Sequence, residues 1–321
     1  MNLLHGIDGL RKLSPGCVLS IGNFDGVHRG HQSLLRVARE LRASTPGSRL
    51  AVATFEPHPL TVLRPEKAPP RLTTPAMKRA LLAAEGVDDL VELAPEPAVL
   101  DLTAEQFWAL LRDEVRPSHL VEGSEFNFGK NRGGNIARLR EWAAGTGVRL
   151  HVVGEVEVPL LDLRIVPIRS TVVRWLVAHG RVRDAAICLG RPFALQGEVI
   201  RGHQRGRTIG VPTANLRVDG QLVPDDAVYA GRCTVDGKTF PAAVSIGTLP
   251  TFGDSDRQIE AHLIGFAGDL YGRVLTIELV DWLRDQRKYD GIEPLKAQIA
   301  MDVADTVRRA DDDASRPIAA A

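Results

Sequence analysis

His28 and His31 are the residues whose placement first suggests chemistry, because they stand three apart at the mouth of an expected helix. At that spacing two helical side chains share a face. Before them, Gly22, Asn23, Phe24, Asp25 and Gly26 form a glycine-punctuated loop that follows the apolar run Val18, Leu19 and Ile21. Glycines in such a turn allow a ligand to approach the backbone closely. Leu34, Leu35, Val37, Ala38 and Leu41 then recur at helical spacing, so the stretch reads as strand, loop, helix. A helix start offers unpaired N–H groups and a positive dipole end to a phosphate, which two imidazoles beside it could also face. The implied ligand is a nucleotide. Zinc is disfavoured, since no glutamate gives the H-E-x-x-H spacing.

A second group lies in the other half of the chain, within residues 202–216. It combines Gly202, Arg207 and Gly210 with a P-T-A-N core that contains Thr213 and Asn215. Glycine-rich backbone can cradle phosphates, and a threonine hydroxyl and an asparagine carbonyl oxygen are hard ligands suited to Mg²⁺. The G-x-x-x-x-G-K-[ST] pattern is absent, which excludes a Walker-type site. Further on, residues 259–264 alternate, so that Glu260 shares a strand face with His262 and Ile264. Between the two groups, Ser170, Thr171 and Arg174 open a helix, an arrangement that suits a phosphate and equally an ordinary helix start.

The elements that must position these residues fall into two patterns. Residues 50–55, 90–93, 119–123, 148–153 and 161–165 read as strands, with helices over 74–86, 136–144 and from Thr171. A capping box at Thr103 and Gln106 opens another helix that runs through Val115. This alternation predicts a doubly wound, mostly parallel α/β sheet, whose ligands bind at the carboxyl ends of its strands. Beyond a short helix over 182–189 the period becomes two. Residues 228–235 and 240–246 flank Asp236-Gly237, a hairpin signal, and 259–264 and 274–280 are also strand-like. A small antiparallel β-barrel closed by a C-terminal helix over 294–308 is expected. The expected domains are residues 1–184 and 185–308, followed by a disordered tail over 309–321.

Bulk properties narrow the function classes. Lys+Arg and Asp+Glu are equal at 40 each, so no net field steers the chain to nucleic acid or an anionic membrane. With no leader pattern and no run long enough to span a bilayer, a cytoplasmic small-molecule enzyme is expected, and a homo-oligomer is compatible with it. Cys17, Cys188 and Cys233 lack C-x-x-C spacing and read as buried reduced thiols.

The string G-N-F-D-G-V-H-R-G-H resembles the nucleotidyltransferase signature of prokaryotic bifunctional riboflavin kinase/FAD synthetases. T-F-E-P-H-P at residues 54–59 resembles that family's T-F-x-P-H-P. Residues 123–129 resemble G-x-[D/N]-F-x-F-G, with Glu125 in place of Asp or Asn, and residues 169–174 resemble S-S-T-x-I-R, with Arg169 in place of the first serine. G-R-T-I-G-V-P-T-A-N is similar to the riboflavin kinase signature, and residues 259–263 and 269–272 resemble further elements of it. Leu249 stands where the family has asparagine.

The resemblance implies phosphorylation of riboflavin to FMN by the barrel, then adenylylation of FMN to FAD by the first domain, with release of pyrophosphate. ATP and Mg²⁺ would serve both steps. On that resemblance His28, His31, Arg174 and Glu260 are catalytic. Gly22, Asn23, Phe24, Asp25, Gly26, Ser170 and Thr171 would bind ATP in the first domain, and Gly202, Arg207, Gly210, Thr213 and Asn215 in the second. Thr213 and Asn215 would hold the metal. His58, Gly123, Glu125, Phe126, Phe128 and Gly129 would line the flavin side. Two rivals are a riboflavin kinase with a degenerate adenylyltransferase domain and a flavin- or nucleotide-sensing module without turnover. Retention of His28, His31 and Glu260 together speaks against the sensor, because binding alone requires none of them.

Overall fold

The computed structural model describes residues 1–202, 210–247 and 257–315, with side chains described as far as residue 311. Two compact units form: Met1–Pro70 with Pro75–Glu157, and Arg71–Thr74 with Val158–Ala321.

The first unit is built on strands β1 (Asn2–His5), β2 (Val18–Gly22), β3 (Leu50–Phe55), β4 (Asp89–Leu93) and β5 (His119–Gly123). A two-residue antiparallel pair, β6 (Asn127–Phe128) and β7 (Gly134–Asn135), precedes β8 (Arg149–Val153). The six long strands make one parallel sheet in the order β1-β4-β3-β2-β5-β8. Buried on both faces, β2 and β3 are almost continuously apolar, as a covered parallel sheet requires, while β4 and β5 also bury Asp89, Glu92, His119 and Glu122. Val18, Leu50 and Leu90 pack with Leu35 and Ala38 of the helix Arg29–Ser44 on one face. Leu19, Ile21 and Leu120 pack with Phe107, Trp108 and Leu139 on the other. From β2 the chain winds outward to β3 and β4, then returns to the opposite side for β5 and β8. The reversal point is therefore between β2 and β5, the crevice where sheets of this kind take ligands.

At the passage from the first unit to the second come β9 (Glu157–Pro159) and β10 (Ile165–Pro167), joined by a turn. This corrects the strand expected over 161–165: Asp162 accepts a hydrogen bond from Arg164 N at 3.2 Å and Leu163 lies at φ 65°, so aspartate turn chemistry outweighs the apolar residues. Helices Ser170–Ala178 and Val182–Leu189 pack on each other, and the second packs on the barrel. The boundary of the compact units therefore lies at Glu157/Val158 and not at the expected 184/185, because Val182, Ala185, Cys188 and Leu189 are buried on this side.

Strands β11 (Phe193–Ile200), β12 (Ala214–Arg217), β13 (Ala227–Val235), β14 (Lys238–Gly247), β15 (Gln258–Leu263) and β16 (Val274–Asp285) close a barrel in the order β11-β12-β15-β14-β13-β16. Strict alternation sends Leu195, Val199, Val244, Ile259, Ala261, Leu263 and Ile277 inward. The Asp236-Gly237 hairpin forms as its sequence indicates, with Val235 opposite Lys238. The C-terminal helix covers β13, β14 and β16 and runs Ile292–Ser315, so residues 309–315 are helical and not a disordered tail. Packing carries the helix past 308: Ala310 is buried, and Arg309 bonds Asp281.

Candidate active sites

At the end of β2 the backbone turns through left-handed conformations at Phe24 (φ 47°), Gly26 (φ 81°) and Val27 (φ 37°). Such angles are unfavourable for Phe and Val, and burial of both side chains in the core under the helix Arg29–Ser44 holds them there. The turn delivers His28 to the N-cap of that helix, where its Nδ1 accepts from His31 N at 3.3 Å. With Nδ1 an acceptor, the neutral ring carries its proton on Nε2. The two imidazoles stack 3.7 Å apart, 15° from parallel, and the Phe24 ring packs 5.0 Å from His31. The expected pairing of His28 and His31 at a helix mouth is thus present.

The loop after β3 is tied to this turn. Thr54 Oγ1 donates to Asn23 O at 2.9 Å, and the Asn23 amide lies 3.4 Å from His58 Nε2. Leu60 N donates to His58 Nδ1 at 3.1 Å, which again places the neutral ring's proton on Nε2. Beneath the loop, Lys78 is buried, with Nζ 2.9 Å from Glu56 and 3.0 Å from Phe55 O. Sequence reading missed Lys78, whose one visible signal is a cation inside the amphipathic repeat of its helix.

The loop after β5 carries Gly123 at the strand end, an exposed Glu125 and a half-buried Phe126. Phe128 is only 7% exposed and stacks on Phe126 at 5.5 Å, with Phe107 at 5.7 Å and the Trp142 edge at 6.2 Å. It is a core anchor of this loop. Gly129 fits tightly against Ala104, whose N a Cβ would meet at 2.6 Å.

Glu122 was also missed. It is 1% exposed, its carboxyl accepts from Ile21 N at 2.9 Å, and burial holds its pKa well above the usual 4.5. A single acidic residue in the otherwise apolar run Leu120-Val121-Glu122-Gly123 was the available signal.

In the second unit Asn215 of β12 is directly opposite Glu260 of β15, which is in turn opposite Ser245 of β14. Glu260 is half-buried and projects on the outer face of the barrel, since Ile259 and Ala261 take the inner one. Gly202 presses on the Asn215 carboxamide: a Cβ there would meet Cγ and Nδ2 at 2.4 Å. A separate cleft of about 660 Å³ is lined by Thr213, Ala261, Phe266, Asp269 and Tyr271, and Arg201 stands 5.6 Å from the Tyr271 ring centre. Its volume is in the range of small-molecule sites. Thr213 borders this cleft, whereas Asn215 and Glu260 do not line it. Gly210 lies exposed in a turn at φ 83°, and Arg207 and Leu249 are outside the described residues.

Ser170, Thr171 and Arg174 lie in the second unit, on the helix Ser170–Ala178. Arg169 is the N-cap of their helix and makes no side-chain capping bond. The three cysteines are buried, and burial pushes the Cys17 thiol up to about 12. Among the described residues, no helix is long and apolar enough to cross a membrane.

Comparison with known proteins gives two family-model matches: FAD synthetase over residues 10–162 and riboflavin kinase over residues 189–309. The bifunctional riboflavin kinase/FMN adenylyltransferase of Pseudomonas fluorescens is 39% identical over 95% of this chain and 96% of its own length. The protein of the same name from Escherichia coli K12 is 38% identical, covering 94% and 96%, and that of Bacillus subtilis 33%, covering 96% and 97%. A Streptococcus pneumoniae crystal structure described as a macrolide-efflux protein shares the fold, with a TM-score of 0.84 and 29% identity over 95% of this chain and 99% of that one. With the parallel sheet and the closed barrel in place, the chain belongs to the bifunctional riboflavin kinase/FMN adenylyltransferase family.

Proposed function

We propose that this chain phosphorylates riboflavin to FMN in its second unit and adenylylates FMN to FAD in its first, with ATP as donor in both steps. The observation that carries the reading is the juxtaposition, in one chain, of two separate constellations of the required chemistry. One is the stacked His28 and His31 pair at a helix mouth beside the sheet's reversal point; the other is Glu260 opposite Asn215 on the barrel.

Both reactions displace at phosphorus, where positioning and neutralisation of charge supply most of the catalysis. In the kinase step the ribityl 5′-hydroxyl oxygen bonds to the γ-phosphorus of ATP as the bond to ADP breaks, and the hydroxyl proton passes to the Glu260 carboxylate. In the adenylyl step an FMN phosphate oxygen bonds to the α-phosphorus and pyrophosphate leaves, its charge met by the His28 Nε2–H, the His31 imidazole and the backbone N–H groups at that helix start. Ser170, Thr171 and Arg174 offer hydroxyls and a guanidinium suited to a phosphate. Asn23 and His58 lie 3.4 Å apart at the same crevice, which supports a flavin or nucleotide contact there.

Thr213, just before β12, and Asn215 within it are neutral oxygen donors, a set whose chemistry fits a Mg²⁺ that also takes phosphate oxygens. Bound there, the metal would neutralise phosphate charge. Division of labour follows the family matches, with adenylyl transfer in residues 10–162 and kinase chemistry in 189–309.

Chromatography of riboflavin incubated with ATP and Mg²⁺ tests the reading. FAD is expected. FMN alone would mean a degenerate adenylyl site, and no product would mean a sensor.

A further inference from the structure

The ladder between β2 and β5 is shorter than either strand. β2 pairs with β3 along all five of its residues, but with β5 only through Val18 opposite His119 and Leu19 opposite Leu120. Past that point the strands part, which opens the crevice at the sheet's reversal point. The Ile21 N–H therefore lacks a backbone acceptor on β5 and finds the Glu122 carboxyl at 2.9 Å instead. A side chain completes the ladder where main chain does not. One residue beyond Ile21 begins the loop that carries Asn23 to His28.

We infer that Glu122, through this bond to Ile21, is a positioning residue for adenylyl transfer: it fixes the divergence of β2 from β5 and with it the seat of the histidine loop. The inference rests on assigning adenylyl transfer to the first unit.

Charge state matters to such a bond. Glu122 shares its face with Leu120 of β5, Leu19 and Ile21 of β2, and Leu150 and Val152 of β8. His119, His151 and Arg149 lie on the opposite face of their strands by alternation. Arg138, Arg140 and Glu141 of the helix over this face are exposed, as are Glu105, Arg112, Asp113 and Glu114 of the neighbouring helical segments. No charged side chain contributes to the elevation of the Glu122 pKa, which burial raises and the Ile21 N–H alone opposes. The carboxyl is thus neutral in the lower pH range and gains charge as pH rises. A charge in that crevice repels the polyphosphate that the loop must receive.

The full chain is assayed for FAD formation from FMN and ATP, with riboflavin phosphorylation as an internal reference, for wild type, Glu122→Leu and Glu122→Gln. Misplacement of a reacting group by about 1 Å costs on the order of 10²-fold, so Glu122→Leu is expected to lower kcat/KM for ATP about 10- to 100-fold in adenylyl transfer and leave phosphorylation within about twofold. Glu122→Gln keeps an acceptor for Ile21 and cannot ionise. It is expected to restore the rate and to lack the alkaline decline expected of wild type. A folded Glu122→Leu with wild-type adenylyl transfer would overturn the proposal, as would a Glu122→Gln profile that superimposes on wild type. If Glu122→Leu fails to fold, the Glu122→Gln pH profile decides alone. Retention of FAD formation by His28→Ala would instead refute the site assignment beneath it, whatever Glu122 does.

Discussion

Asn215 and Glu260 are cross-strand partners on the β12–β15 ladder, and Gly202 is packed so closely on Asn215 that a Cβ would come within 2.4 Å of its carboxamide. A contact that short cannot be absorbed without moving Asn215, and whatever moves Asn215 disturbs the place beside the carboxylate. Gly202→Ala is therefore expected to slow riboflavin phosphorylation by about 10- to 100-fold while FAD formation from supplied FMN holds. Initial rates of the two half-reactions measure this. Unchanged phosphorylation would show that the crowding is tolerated.

Lys78 and Glu56 form an ion pair whose side chains are 5% and 16% exposed, under the loop that carries His58. Removal of one partner from a buried pair leaves the other charge uncompensated, at a cost of about 3–5 kcal/mol. Lys78→Met should lower unfolding stability by about 3 kcal/mol, read from urea denaturation of the first unit's transition. A loss below about 1 kcal/mol would mean that water replaces the lysine.

Stability should also report on Glu122. Its folded pKa lies above the ordinary 4.5, so between those two values the native state holds a proton that the unfolded chain has released. The stability contributed by the neutral carboxyl is complete below about pH 4.5 and is lost as pH rises towards the folded pKa, by up to about 1.4 kcal/mol per pH unit. Glu122→Gln removes the dependence. Its melting temperature should gain on wild type steadily from about pH 5 upward; parallel curves would contradict this.

Much of the fold was legible because local signals agreed with tertiary demands. The apolar strands β2, β3 and β5, the helix Arg29–Ser44 and the Asp236-Gly237 hairpin each follow from period and turn chemistry. The turn at residues 161–165 escaped because three apolar residues there are exposed and make a strand-like pattern without a core to face. Leu163, at 83% exposed, has no periodicity to obey. The unit boundary escaped because Val182–Leu189 looks like another helix of the alternating series, and only packing assigns it to the barrel.

The candidate residues show the same division. His28 and His31 were readable because their i,i+3 spacing across a helix start brings them close, and Glu260 because strand alternation fixes its face. Its partner Asn215 was named, but their opposition depends on the β12–β15 register, which no local signal encodes. The packing of Phe128 against Phe107 and Trp142 was not legible, because it depends on elements distant in sequence. Lys78 and Glu122 were hidden for the same reason, as charges whose burial depends on such elements.

The most direct test of two independent sites is a crossed assay of His28→Ala and Glu260→Gln in the full chain. Given riboflavin, ATP and Mg²⁺, His28→Ala should accumulate FMN at the wild-type rate and form no FAD. A general base contributes about 10²–10⁴-fold, so Glu260→Gln should slow FMN formation by that factor yet convert supplied FMN to FAD as wild type does. Loss of both activities in either folded variant, or FAD formation by His28→Ala at the wild-type rate, would contradict the assignment.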